Sequence, residues 1–519
     1  MMEDNTTPLA VIDIGTSSIR MAIAEINYKG QVRTLETLAQ AVNLGKDTFT
    51  NGRINKSTIE DCVRVLQRYG QILKQYQVDL ENRVRAIATS AVREAENRLA
   101  FLDRIYIATG IHVAPLDAAE VNRITYMGIQ PYLTKEPTLS EAKTLITEIG
   151  SGSTEVLFVQ GDQVLSAHTH RLGSLRVQQN RESVDTSQTT LQRIMRNQID
   201  QYVEQITNEL PENETSQLIA LGGDVRFAAT QLISNWNRHQ LGHLNVSELE
   251  GFCQQDKEHN VETLVNRYHL SYPDAETLGP ALLAYTRLAA ALQQETILVS
   301  NVNLRDGLLH EMAAEGVGTE TFHTQVIHSA LELGRKFHFQ ESHATHVARL
   351  SQSLFSQLKS PLNLEPRYEL ILHIAALLHE IGLYISSDGY HKHSMYLINH
   401  SELFGLSEKE LLLVGLVARY HRRASPKASH QGYGNLDRNN RVAVAKMAAI
   451  LRIADALDHS RSQRCNNLDC HYEEHQLVIS IPGIDDVSLE QLALKETGTL
   501  FDEIFGMQVL LRQSSLNRT

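Results

Sequence analysis

The chain has 519 residues, 42% hydrophobic and 21% charged, with a formal net charge of −13. That length carries several domains, and the acidic balance excludes a general nucleic-acid binder, which needs a basic face. No run reaches the ~20 apolar residues that span a bilayer, and the polar, acidic start is no secretory signal, so a cytoplasmic protein without a membrane partner is expected.

In chain order, PLAVIDI (8–14) reads as a buried strand and IRMAIAEI (19–26) as its return, joined by the short polar GTSS into a hairpin. Helical spacing of Ile59, Val63, Leu66 and Tyr69 predicts a helix over 57–77. VRAIAT (84–89) is strand-like and leads into a helix from Ala91. The pattern then recurs: TLITEI (144–149), the polar turn GSGST and EVLFV (155–159) form a second hairpin. Both hairpins run acid, Ile, Gly, small hydroxyl residues, which suggests two related α/β halves. LIALGG (218–223) and ILVS (297–300) are further strands, and GVGTET (316–321) reads as a linker.

From about 325 to 460 the pattern is helical. Val347, Leu350, Leu354 and Leu358 share one helix face, and Leu370, Ile374, Leu377, Leu378 and Ile381 share another. HQLVISI and SLEQLALKE then predict a strand and a helix near the C-terminus. Of 23 histidines, 15 follow residue 320, which marks this half as chemically distinct. The four cysteines, Cys62, Cys253, Cys465 and Cys470, form neither a disulfide scaffold nor a paired zinc motif.

A turn of glycines and hydroxyls after an acid suits phosphate. Glycine lets backbone N–H groups approach an anion, hydroxyls add donors, and the acid can hold Mg²⁺. Two such turns in matching order are a far stronger signal than one. AVIDIGTSSIR, ATSAVREAEN, LITEIGSGSTE, the ALGG segment and NLRDGLL resemble, in this order, the exopolyphosphatase / guanosine pentaphosphate phosphohydrolase family. The resemblance implies two ribonuclease-H-like (actin-like ATPase) domains, 1–125 and 126–312. After them come an all-α HD-like domain, 322–462, and a small α+β segment, 463–519. It implies Mg²⁺ on Asp13 and Glu148. It implies phosphate binding by Gly15, Thr16, Ser17, Ser18, Arg20, Arg93, Gly150, Ser151, Gly152, Ser153 and Thr154, with Glu120 as general base.

The implied reaction is removal of terminal phosphates from inorganic polyphosphate, with guanosine pentaphosphate hydrolysis or a non-catalytic sensor as alternatives, in a homodimer. Some positions depart from the family pattern. Glu148 stands where the family has Asp, Ser151 where it has Gly, and LGGDVR replaces its Thr-Ser-Gly-Thr segment. In the C-terminal half His343, His379, Glu380, His393, His421 and Asp455 resemble the metal ligands of the HD phosphohydrolase superfamily, with Glu380 in place of the usual Asp. They imply a second divalent-metal site. Arg419, His421, Arg422, Arg423 and Lys427 form the densest basic cluster there, a candidate track for a polyanion.

Overall fold

Both hairpins form as the apolar runs require. In the computed structural model, which describes residues 8–27, 30–182, 188–208, 210, 217–257, 261–313, 319–484 and 486–514, β1 (Pro8–Ile14) pairs antiparallel with β2 (Ser18–Ile26). β2 pairs with β3 (Val32–Ala41), and β1 pairs parallel with β4 (Val84–Ala88), which β5 (Val113–Pro115) follows. The order is β3-β2-β1-β4-β5. The second hairpin starts the same arrangement: β6 (Lys143–Ile149), β7 (Thr154–Gln160), β8 (Gln163–His170), β9 (Gln217–Leu221), β10 (Gly242–Asn245) and β11 (Thr296–Val299), ordered β10-β11-β9-β6-β7-β8. Reading from β8 to β11 repeats the first sheet, and β10 adds an antiparallel edge. This is the doubled α/β architecture expected, and both sheets lie in the compact unit Met1–Glu320.

Sequence reading missed the short strands β5 and β10, the strands β12 and β14 near the C-terminus, and the outer strands β3 and β8. β3 and β8 each pair on one side only, so VRTLETLAQA and QVLSAHTH keep polar residues that mask the strand signal. The predicted helix over 57–77 forms as Lys56–Gln75, burying Val63, Leu66 and Tyr69. Helix Ala118–Leu133 runs through the boundary drawn at 125/126. Helix Leu304–Ala313 returns to the first sheet, where Leu308 and Leu309 pack with Leu9, Val11 and Ile124. Its Glu311 pairs with both Arg85 of β4 and Arg123.

The second unit, Thr321–Thr519, is helical through Leu457. Helices Glu341–Leu358, Tyr368–Leu378, Glu408–Arg419 and Arg438–Leu457 share one apolar core. β12 (Asp469–Glu473), β13 (Gln476–Pro482) and β14 (Gln508–Ser514) form a small sheet on that core with helices Ser488–Thr497 and Thr499–Phe505. His343 lies inside helix Glu341–Leu358. Two local expectations differ. The helix carrying His379 stops at Leu378, and Ile381–Tyr384 is a 3-10 turn. The cause is Gly382, where a Cβ would lie 2.1 Å from the Tyr390 carbonyl oxygen, so the backbones must close together there. Of the predicted linker, residues 316–318 lie outside the described residues, and 319–321 open helix Thr319–Lys336. Among the described residues, no helix is long and apolar enough to cross a membrane.

Candidate active site

The two hairpin turns are superimposable in their bonding. Gly15 N–H donates to the Ser18 carbonyl and Gly150 N–H to the Ser153 carbonyl, each at 2.9 Å. A following segment clamps each turn. Val42 and Gly45 N–H groups bond the Ser17 and Thr16 carbonyls, and Ser174 and Leu175 N–H groups bond those of Gly150 and Ser151. The turns then meet: the Ser17 and Ser151 hydroxyls are 3.4 Å apart. The Thr-Ser-Ala-Val-Arg-Glu block supports both. Ser90 Oγ lies 3.2 Å from Thr16 Oγ1, and Glu94 accepts from Arg176 at 2.6 Å. Arg176 also donates to the Gly152 carbonyl at 2.6 Å and stacks on Phe49 at 3.6 Å.

Around the turns lies a cleft of about 1250 Å³. Strand pairing sets its charges. Asp13 faces Arg20 across the first hairpin, whereas Glu148 faces Glu155 across the second. Two more guanidiniums enter from distant segments: Arg305, 3.4 Å from Asp13, and Arg226, which donates to the Val302 carbonyl at 2.7 Å. Burial raises Asp13 and Glu148 above the usual carboxylate range, against the pull of Arg305 on one and Arg226 on the other. Burial and the neighbouring Glu148 push Glu155 up to about 7; burial and Asp274 push Asp224 up to about 7.

These raised values have a consequence for stability. The folded chain holds protons on Glu155 and Asp224 that the unfolded chain releases near their ordinary values of 4.5 and 3.8. Their contribution is therefore complete below pH ~4 and lost as pH rises through about 7, a loss of about 3–4 kcal/mol per group. Thermal melts between pH 5 and 8 should show Tm falling over this window, and less steeply in Glu155→Gln. A Tm that rises across it would contradict the burial argument.

Gly222, with φ +112°, opens helix Gly223–Leu232, and Gly222, Gly223 and Asp224 line the cleft at the helix start. Buried Tyr285 holds this junction. Its hydroxyl accepts from Ile149 N–H at 2.8 Å and donates to the Leu221 carbonyl. Tyr285→Phe leaves two buried backbone groups unpaired and should cost about 1–3 kcal/mol, read as a lower midpoint in urea. Beyond it, Phe227, Leu270 and Leu278 give the cleft an apolar wall beside Asp224, Asp274 and Thr277.

Of the sequence-predicted residues, Asp13, Gly15, Thr16, Ser17, Ser18, Arg20, Glu148, Gly150, Ser151, Gly152 and Ser153 line the cleft. Three do not. Thr154 turns inward and its hydroxyl donates to the Leu172 carbonyl at 2.7 Å, because the position pairs with Ile149 at the strand end. Arg93 donates to the Leu116 carbonyl at 2.9 Å. Glu120 caps its helix: its carboxylate accepts the Asp117 N–H at 2.9 Å in a reciprocal capping box, and Val121, the next residue, lines the cleft. Arg226, Arg305 and Asp224 were missed. Arg226 and Asp224 sit in the LGGDVR segment and Arg305 in NLRDGLL, so both signals were in the sequence, unread.

In the second unit, His343, His379, Glu380, His421 and Asp455 converge in two overlapping groups. His393 is not among them; in its helix, Tyr390–Asn399, the next residue Ser394 faces inward and bonds Gly382 N–H and the His379 carbonyl. His421 is fully buried in this cluster and so is not part of a surface basic track, while Arg423 and Lys427 are exposed. All four cysteines are free thiols.

Comparison with known proteins follows the same division. The Ppx/GppA phosphatase family profile matches residues 22–315, and the Ppx/GppA phosphatase domain III profile matches residues 327–497. A protein of Photobacterium profundum named guanosine-5'-triphosphate,3'-diphosphate pyrophosphatase is 24% identical over 523 residues, covering 96% of this chain and 98% of its own length. One of the same name from Aliivibrio fischeri is 22% identical over 476 residues, 89% of either chain. The crystal structure of an exopolyphosphatase from Cytophaga hutchinsonii shares the fold over 59% of this chain and 98% of its own, at 22% identity and a TM-score of 0.53. With both profiles matched on the regions that carry the two sheets and the helical unit, the chain belongs to the Ppx/GppA phosphatase family and is a hydrolase of phosphoanhydride bonds.

Proposed function

We propose that the chain removes the 5'-terminal phosphate of guanosine 5'-triphosphate 3'-diphosphate, in preference to the inorganic polyphosphate that the sequence alone suggested. The observation that carries this is the composition of the cleft beyond the phosphate turns: an apolar wall of Phe227, Leu270 and Leu278 beside the carboxylates of Asp224 and Asp274. A polyphosphate has no apolar face, and carboxylates repel it. A purine stacks on such a wall, and its N–H groups donate to carboxylates. The named relatives above, which match almost the full chain, support the same reading.

The donor set fits Mg²⁺. Asp13 and Glu148 stand at equivalent strand ends, are both raised by burial, and Asp13 raises Glu148 further. Two hard oxygen donors with room for phosphate oxygens and water are what Mg²⁺ takes. Bound there, the ion supplies charge neutralisation on the phosphate oxygens. The chain's own groups do the rest. N–H groups and hydroxyls of the two turns hold the terminal phosphates, and Arg20, Arg226 and Arg305 stabilise the charge that grows on the leaving oxygens. Glu120, next to the cleft-lining Val121, has to swing its carboxylate from the cap into the cleft to take a proton from the water that attacks the terminal phosphorus in line. The P–O bond to the next phosphate breaks, and orthophosphate leaves.

The test is phosphate release from guanosine pentaphosphate and from long-chain polyphosphate, with Mg²⁺ and after chelation. The nucleotide should be favoured in kcat/KM by about tenfold or more, and Asp224→Asn should lower its turnover more than that of polyphosphate. A preference for polyphosphate that Asp224→Asn does not change would remove the nucleotide reading and restore the first one.

A further inference from the structure

The chain crosses between its two α/β halves through helix Ala118–Leu133 and again from β11 into helix Leu304–Ala313, and these helices meet at glycines. A Cβ on Gly307 would lie 2.1 Å from the Ile124 carbonyl oxygen, and one on Gly128 would lie 2.6 Å from Val302. At the phosphate turns the tie between the halves is made by side chains, and Arg176 carries three of the contacts. It belongs to the second half, in helix Ser174–Glu182, whose first N–H groups clamp the second turn. Its Nε donates to the Gly152 carbonyl and its Nη2 to Glu94 Oε1, each at 2.6 Å, while the guanidinium lies 3.6 Å over the Phe49 ring. Glu94 and Phe49 both belong to the first half. Glu94 ends the short helix Ser90–Glu94, and Phe49 sits in helix Leu44–Asn51, whose Gly45 N–H clamps the first turn at the Thr16 carbonyl. One side chain therefore joins the clamps of both turns.

These contacts occupy the guanidinium. Two of its donors go to protein acceptors and one face goes to a ring, and Arg176 does not line the cleft, whereas Arg20, Arg226 and Arg305 do. The bond to Gly152 has a further effect. The Gly152 carbonyl and the Ser153 N–H belong to one planar trans peptide unit, so they point in opposite directions. A carbonyl held by Arg176 turns the N–H of Ser153, a cleft-lining residue, the other way. Backbone N–H groups aimed together in this manner form an anion nest.

We propose that Arg176 is a positioning residue of the phosphate site, one that links closure of the two halves to the aim of the second turn. Its hold on Glu94 shuts the halves at the turns, and its hold on the Gly152 carbonyl presents the Ser153 N–H to phosphate. Arginine suits this place because its planar fork serves two acceptors and leaves a face for the ring. Lysine has one compact ammonium on a flexible stem and cannot do all three. An ion pair is also a tie that breaks and reforms, as a site that admits substrate and releases orthophosphate requires. This role rests on the two turns holding phosphate, and is independent of which phosphoanhydride the chain prefers.

The test combines steady-state kinetics with amide hydrogen exchange on the full-length chain. Arg176→Lys keeps the charge and loses the fork. It should lower kcat for phosphate release by about 10–100-fold with KM nearly unchanged. A raised KM with kcat kept would make Arg176 a substrate contact and overturn the proposal. Glu94→Gln should lower kcat as well, and the double variant should be no slower than Arg176→Lys alone, because both changes break one link. Losses that multiply in the double variant overturn the link. In Arg176→Lys, peptides covering residues 150–153 and 44–51 should exchange faster than in the wild type. Arg104→Ala, which breaks the outer ion pair with Glu60, should leave rate and exchange as they are. Circular dichroism checks that each variant is folded, and Glu94→Gln carries the exchange measurement if Arg176→Lys is not. Exchange needs no turnover, so unchanged exchange at both turns overturns the proposal even for a chain that cleaves neither substrate.

Discussion

Glu120→Gln is expected to lower kcat for phosphate release by about 10²–10⁴-fold while the chain stays folded. The substitution separates two functions of one side chain. As a helix cap, Glu120 accepts the Asp117 N–H at 2.9 Å, and a glutamine carbonyl oxygen can accept the same bond. What the amide loses in the fold is the charge in the first helical turn, worth about 0.3–1 kcal/mol. What it loses in the reaction is the ability to take a proton from water. Asp117 in turn accepts the Glu120 N–H at 2.9 Å, so the reciprocal box holds the carboxylate at the helix start before substrate arrives. Steady-state kinetics beside a thermal melt reads both effects. A variant within tenfold of the wild-type rate would show that another group activates the water. A variant that loses rate and stability together would show only that the cap matters.

Gly152→Ala should reduce kcat/KM by about 100-fold. A Cβ there would lie 2.3 Å from Ser90 Oγ and 2.8 Å from both Thr16 Oγ1 and Phe49. These are the contacts by which the second turn docks on the first turn and on the Thr-Ser-Ala block. None of the three neighbours can retreat cheaply. Ser90 and Thr16 bond each other at 3.2 Å, and Phe49 lies under the Arg176 guanidinium. The methyl group therefore drives the two phosphate turns apart, and separation on the scale of 1 Å misplaces every donor at once. Overpacking should cost about 1–3 kcal/mol as well. A Gly152→Ala variant that keeps the wild-type kcat/KM and midpoint would argue against this steric cause.

Much of this site was legible because its chemistry is local. In each hairpin the strand-end acid, the glycine and the hydroxyls fall within six residues, and strand register then dictates that Asp13 faces Arg20 and that Glu148 faces Glu155. Turn residues point where the turn sends them, so Gly15 to Ser18 and Gly150 to Ser153 reached the cleft as read. The same locality misled at the edges. Thr154 belongs to the run of hydroxyls in sequence but pairs with Ile149 as the first residue of β7, and its hydroxyl turns to the Leu172 carbonyl.

Composition, the paired hairpin turns and the helical half rich in histidine were set by the chain's own order of residues, because hydrophobic period and turn chemistry act over a few positions. Tertiary structure alone decided which distant groups complete the sites. Arg305 comes to Asp13 from 292 residues away, carried by a helix whose Leu308 and Leu309 pack under the first sheet. His343 meets Asp458 across 115 residues, and His393 is left out of the cluster. The helix before His379 ends where it does because Gly382 must lie against the Tyr390 backbone, a contact that no local pattern encodes. Side-chain direction follows from what a helix or strand is packed against, and that is fixed only when the whole core closes.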